Sequence, residues 1–233
     1  MKVSKNNKLI ERNKKIAQYT LYISLALLAV GFIWSIRNTD PEKSFIGWLI
    51  LIPSYLLVQL SIYMSNKWGK SPRPDEIISQ SLKGLNDDFT FYKFSTDVPH
   101  LLIGPQGIWI LNAYLHKGEI SYDKDKSKYI QRGGAGFIGK YFGQEKLPNI
   151  SKDSQNLKND LAAFFNNVGI DTDTNPLVIN VFLSDNAYLR GKNFPEICIK
   201  AEKLKSLVRR ESKNKILTIG EILKITNLLP QAK

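Results

Sequence analysis

Cysteine is nearly absent: Cys198 is the only one in 233 residues. A single thiol excludes an intramolecular disulfide framework and any cysteine-built zinc finger, and with them the usual argument for an oxidising compartment. Histidine is as scarce, and two isolated imidazoles, His100 and His116, without clustered acids or thiols do not make a zinc site. Both are read as structural or surface residues. Cys198 lies in an apolar stretch with no activating His or Asp pattern beside it, which makes it a small core side chain rather than a nucleophile. Acids are outnumbered, 21 Asp/Glu against 33 Lys/Arg, for a net charge of +12. That excess is unevenly spread, since residues 1–70 hold ten of the bases and only three of the acids. There is no internal repeat and no recognisable nucleic-acid-reading motif.

Two stretches lack charge altogether. Residues 16–36 and 45–64 contain no Asp, Glu, Lys, Arg or His. Each is long enough to cross a hydrocarbon core of about 30 Å at about 1.5 Å per residue. Tyr19, Tyr22 and Trp34 mark the ends of the first, and Trp48, Tyr63 and Trp68 those of the second, where amphipathic rings prefer the water interface. Residues 37–44 supply turn residues and charges between them, so the pair reads as a transmembrane helical hairpin. A cleaved signal peptide is the competing reading of the first stretch. It fails on the length of the apolar run, the lack of a small-x-small site before Arg37, and the second span that follows at once.

Lys2, Lys5, Lys8, Arg12, Lys14 and Lys15 precede the first span and Lys67, Lys70 and Arg73 follow the second, whereas the loop between has two bases offset by two acids. The positive-inside rule therefore predicts an integral membrane protein with both termini cytoplasmic. Spans without ionisable groups offer no ion pathway or proton relay, and serve as an anchor in the lipid bilayer. Thr20, Ser24, Gly31 and Ser35 form a small-residue stripe on the first, and Gly47, Ser54 and Ser61 on the second. Such stripes admit close helix approach, either between the two spans or in a dimer; packing of the two spans is the simpler expectation. Pro53 is expected to kink the second helix.

The expected organisation is thus a basic N-terminus (1–15), a first span (16–36), an external loop (37–44), a second span (45–66), a linker (67–74) and a domain from 75 to 233. Within that domain Asp75 and Glu76 open a helix, a strand is expected at 89–94, and two apolar runs flank Gly104-Pro105-Gln106-Gly107 as a tight hairpin. A strand at 119–122, a charged loop at 123–128, a helix at 155–167, strands at 176–184 and 197–199, and helices at 202–210 and from Thr218 complete an α/β domain with a mixed sheet. Thr218 and Glu221 stand in a capping-box pattern.

Gly134 to Lys140 fits the phosphate-cradling spacing GxxxxGK, but Tyr141 stands where magnesium binding wants Ser or Thr, so the glycine-rich 133–143 segment is read as a surface loop. Its aromatics, with Tyr129, are suited to touching a partner or the bilayer surface. Lys203, Lys205, Arg209, Arg210, Lys213 and Lys215 make a basic run whose simplest reading is a solvated face, with anionic lipid or nucleic acid as the alternatives.

The hairpin resembles the nuclease-related domain, NERD, of the restriction-endonuclease-like group. Val98-Pro99-His100-Leu101-Leu102-Ile103-Gly104-Pro105-Gln106-Gly107-Ile108-Trp109-Ile110-Leu111-Asn112-Ala113-Tyr114 follows the family pattern of Ile-Asp-His, an apolar strand, Gly-Pro-x-Gly, and a second strand ending in Glu-x-Lys. Asp75-Glu76 is similar to the family's upstream Gly-Glu, and the helix with Gln155 to its later helix, so the resemblance spans about residues 70–185. It implies a restriction-endonuclease-like fold for the cytoplasmic domain. In the family an Asp and the Glu of Glu-x-Lys hold a divalent cation, and the Lys assists the attacking water or the phosphate. Here those positions are Pro99, Asn112 and Tyr114, leaving Glu76 alone of the acidic set.

The resemblance therefore implies a degenerate, catalytically inactive pseudoenzyme that acts as a binding or scaffolding module, without a cofactor or a small-molecule substrate. Two alternatives stand beside it. One is a Mg2+-dependent nuclease with a site relocated to Glu76, Asp97 and Glu119; the other is a non-catalytic nucleic-acid binder. A protein partner is the remaining expectation.

Overall fold

In the computed structural model, the chain divides into two compact units, one made of residues 7–73 and the other of residues 1–6 together with 74–233. The structure describes residues 1–38, 40–134, 147–171, 174–191 and 193–230.

The first unit is the helical hairpin. Helix α1 (Asn7–Arg37) starts well before the apolar run and carries the basic residues of its first turns, and α2 (Pro41–Met64) opens with Pro at its first position, where its missing N–H costs nothing. Both are long and apolar enough to cross a membrane. The helix continues past Pro53, and a π-helical turn, Ser65–Gly69, follows it. The small-residue stripes face one another. Ser24, Gly31, Gly47, Ser54 and Ser61 are buried, and Ser61 Oγ donates to Ala17 O at 3.3 Å across the pair. A Cβ on Gly31 would lie 3.0 Å from Leu51, and one on Gly47 would strike the Ser35 hydroxyl. Packing of the two helices on each other therefore uses up the stripes.

The second unit is built on a six-stranded sheet of order β1-β2-β3-β4-β7-β9. Its strands are β1 (Lys2–Lys5), β2 (Thr90–Lys93), β3 (His100–Gly104), β4 (Gly107–Tyr114), β7 (Leu177–Phe182) and β9 (Ile197–Lys200). β2, β3 and β4 are antiparallel neighbours, while β1 on one edge and β7 and β9 on the other run parallel to theirs, so the sheet is mixed. The β3–β4 turn requires a glycine at Gly107, whose φ is +100°. β4 is a nearly unbroken apolar run because helices cover both its faces.

Helices α3 (Pro74–Ser81) and α5 (Ala201–Glu211), with Leu82 just after α3, pack Ile78, Leu204 and Val208 against the odd-numbered face of β4, with Trp109 and Leu111. Helices α4 (Ile150–Val168) and α6 (Ile219–Leu228) pack Leu161, Phe165, Ile222 and Ile225 against the even face, with Ile108 and Ile110. A smaller sheet of order β6-β5-β8 comprises β5 (Gly118–Asp123), β6 (Lys128–Arg132) and β8 (Ala187–Arg190), with Ile120 and Ala187 buried beneath it.

Three strands depart from the sequence expectation. β1 draws residues 2–5 out of the basic N-terminus into the sheet, and the ladder extends through Lys2 N–H to Phe89 O at 2.9 Å and Asn6 N–H to Lys93 O at 3.1 Å. β6 takes Lys128, the last residue of the expected charged loop, and residues 129–132, for which no element was expected; β8 had none either. Helix α4 begins five residues before Gln155, its first turn capped by Asn149, whose side chain accepts from Lys152 N at 3.1 Å.

Candidate functional site

Parallel pairing of β4 and β7 sets Asn112 across from Asn180 and Tyr114 across from Phe182. The β3–β4 register runs from Leu101 opposite Ile110 to Gly104 opposite Gly107, and Pro99 lies just before β3. Asn112 and Tyr114, two residues apart, share the even face. Asn112 and Tyr114 thus lie at one end of the hairpin, where the start of α4 brings Asp153 to Tyr114 and Ser154 to Asn180.

A hydrogen-bonded network fills this place. Asn112 Nδ2 donates to the Tyr114 hydroxyl at 2.7 Å and to Asn180 Oδ1 at 3.2 Å. The Tyr114 hydroxyl donates to Asp153 Oδ2 at 3.3 Å, and Asn180 and Ser154 are joined at 3.3 Å. Tyr114, Asn180 and Ser154 are buried. Burial first, and then the Asp153 carboxylate, push the Tyr114 phenol well above its ordinary range, so it stays a proton donor at every physiological pH. The Asp153 carboxylate sits in the first turn of α4, where the helix dipole favours negative charge. The His116 ring lies 5.9 Å from that of Tyr114.

These groups do not fit a hard divalent cation. Such an ion wants several oxygen ligands, with carboxylates among them. Here Asp153 is the lone acid of the network, the two amides and the serine satisfy one another, and Tyr114 contributes a neutral phenol. Among the described residues no three His, Cys, Asp or Glu come together in a way that could hold a metal.

Glu76 lies elsewhere. It is carried by α3, on the odd face, whereas Asn112 and Tyr114 point from the even one. Beside it Asp75 is fully buried, with Oδ2 3.8 Å from Lys93 Nζ, and the Lys93 ammonium stands 5.7 Å from the Phe91 ring centre. His100 stacks on Phe91 at 6.3 Å, and its Nδ1 donates to Leu111 O at 3.1 Å, which fixes the proton on that nitrogen. Glu76, Ser79, Gln80, Lys83 and Lys93 line an open cavity of about 400 Å³ on this side.

The residues of the relocated-site alternative are not brought together. Asp97 is exposed in the segment before β3, and Glu119 is in the small sheet, both its oxygens within 3.2 Å of Arg190 Nη1. Gln155 is exposed, its side chain donating to Asn159 Oδ1 at 3.0 Å. Lys140 and most of the glycine-rich segment lie outside the described residues. Gly134, which opens the GxxxxGK spacing, has φ +96°, and a Cβ there would collide with Lys117 O, so close backbone approach accounts for this glycine. Cys198 lies beside Tyr129, whose hydroxyl also meets Glu196. Burial pushes the thiol up to about 12, which keeps it protonated and unreactive.

Asp153, Ser154 and Asn180 are absent from the sequence reading. Asn180 did leave a signal: an amide in the middle of the apolar run 177–183 must find partners when buried. Asp153 and Ser154 left none, because the helix was expected to start after them. Comparison with family models, curated proteins and solved structures finds no match to this chain.

Proposed function

We propose that this chain is a membrane-anchored, non-catalytic nuclease-related domain, restriction-endonuclease-like in its core, that works as a binding or scaffolding module on the cytoplasmic side. One observation carries the reading. Where such a domain would hold its cation and its lysine, Pro99, Asn112 and Tyr114 stand instead, and Asn112 and Tyr114 close a network with Asn180, Ser154 and Asp153. Rebuilding a metal site there would require a second carboxylate and the loss of hydrogen bonds already made.

The anchor is supported by the length and apolarity of α1 and α2. A common side for both ends of the hairpin is supported by β1, which pairs with β2 although the whole hairpin lies between them in the chain. The excess of lysine and arginine just outside both spans supports the cytoplasm as that side.

The test uses the full-length protein in detergent with magnesium or manganese, on single- and double-stranded DNA and RNA. The expected result is no cleavage above the metal-only control, unchanged by Glu76→Ala. Cleavage abolished by Glu76→Ala would overturn the reading. Nucleic-acid binding without cleavage, weakening as salt rises, would identify the ligand as nucleic acid.

A further inference from the structure

Helix α6 is amphipathic in an unusual way. Ile222, Ile225 and Leu229 turn inward, yet Ile219 and Leu223 on its flank are 66% and 47% exposed, and Ile216 just before the helix is 57% exposed. Ile219 and Leu223, four apart, share one stripe of the helix, and Ile216 precedes its cap. The outward position of Ile219 and Leu223 is fixed by helix phase, since the Thr218–Glu221 capping box sets where the helix begins. Lys213 and Lys215 come just before Ile216 in the chain and Lys224 just after Leu223, all three exposed and in no ion pair among the described residues. The nearby acids are engaged: Glu221 accepts from Thr218 N and Oγ at 2.7 Å, and Glu211 from Arg210 Nε at 2.9 Å.

Exposed branched aliphatic side chains in a frame of lysines match the boundary of an anionic bilayer, where apolar groups enter the acyl region and ammonium groups meet phosphate. Nucleic acid would use the lysines and gain little from the isoleucines. Ser4 Oγ donates to Pro230 O at 2.9 Å, so the far end of α6 is held beside β1, three residues before α1 begins.

We propose that Ile216, Ile219 and Leu223, with Lys213, Lys215 and Lys224, form a surface that docks the second unit onto the anionic leaflet in which the chain's own helices are anchored. The proposal rests on reading α1 and α2 as bilayer spans. Docking strengthens about fivefold for each lysine near an anionic surface, and it is absent on neutral lipid.

The experiment places a nitroxide at Gly220→Cys in a Cys198→Ala background, using full-length protein in nanodiscs. A Cβ at Gly220 meets nothing within 4 Å, and both flanking apolar residues are kept. In discs containing phosphatidylglycerol, collision with a water-soluble nickel complex is expected to fall at least about fivefold relative to pure phosphatidylcholine discs. The Lys213→Glu/Lys215→Glu/Lys224→Glu variant is expected to abolish that difference, while a control label at Tyr188→Cys stays accessible throughout. Equal accessibility in both lipids would overturn the docking surface. So would shielding that depends on protein concentration rather than lipid charge, which would mean a second copy. Release of the protein from membranes by alkaline extraction would instead overturn the spanning reading, an outcome distinct from the others.

Discussion

On one face of the six-stranded sheet Asp75 and Lys93 leave water as a carboxylate and an ammonium; on the other, Asn112, Asn180, Ser154 and Tyr114 leave water as neutral groups, with Asp153 at their margin. The chemical difference has an energetic one behind it. A buried ion pair gains little net stability over an apolar replacement, but losing one partner strands a charge. An amide network loses only hydrogen bonds when one of its buried members goes, because those members carry no full charge. The charged face is therefore brittle, and the neutral face graded.

The largest expected effect follows from the charged face. Lys93→Met leaves the Asp75 carboxylate buried with its ammonium removed, and should destabilise the protein by about 3–5 kcal/mol. Asp75→Leu/Lys93→Met removes both charges and should recover most of that loss. Denaturant unfolding of the full-length protein in detergent measures both. A double variant as unstable as the single one would show that the pair's hydrogen bonds, not its charges, dominate this face.

On the neutral face Asn180→Leu takes away partners of Asn112 and Ser154 while keeping volume, and should cost about 1–3 kcal/mol by the same measurement. An effect as large as that of Lys93→Met would erase the contrast between the faces. A smaller test of local legibility is Thr218→Ala, which removes the cap of α6 and should cost about 1 kcal/mol.

That cap was readable because its two residues are three apart and their partners are their own backbone. The same holds for the β3–β4 turn, for the apolar length of the two spans and for the inward stripe of α4: each is set by neighbours within a few positions. β1, β6 and β8 are not of that kind. Lys2–Lys5 and Lys128–Arg132 are short and charged, as edge strands are when they discourage further pairing, so they leave no apolar period to read. The partner of β1 lies some 88 residues along the chain, with Lys2 opposite Thr90. The site divides in the same way. Pro99, Asn112 and Tyr114 were legible because one hairpin carries them. Asp153 and Asn180 join them only through the α4 crossover between β4 and β7, which no local spacing encodes.

The neutral face makes one further prediction, and its sign depends on which protonation state the fold holds. Cys198 pairs with Asn180 across β7 and β9 and so shares its face, and burial pushes its thiol from an ordinary 9.0 up to about 12. Tyr92, in the core of that same face, is pushed from 10.0 up to about 12 by the same cause. Raised values mean that the fold prefers both groups protonated. Their contribution is complete below the pKa values of the unfolded chain and disappears as pH rises toward the folded ones, because only the unfolded state then releases protons. Stability on this account is flat to about pH 9 and falls between about 9 and 12. Cys198→Ala removes the group that titrates first, so the fall should begin nearer pH 10, where Tyr92 takes over. Unfolding midpoints of the parent and the variant across pH 8 to about 12 measure the shift. An alkaline limb that starts at the same pH in both proteins would mean that the thiol is not held neutral by the fold.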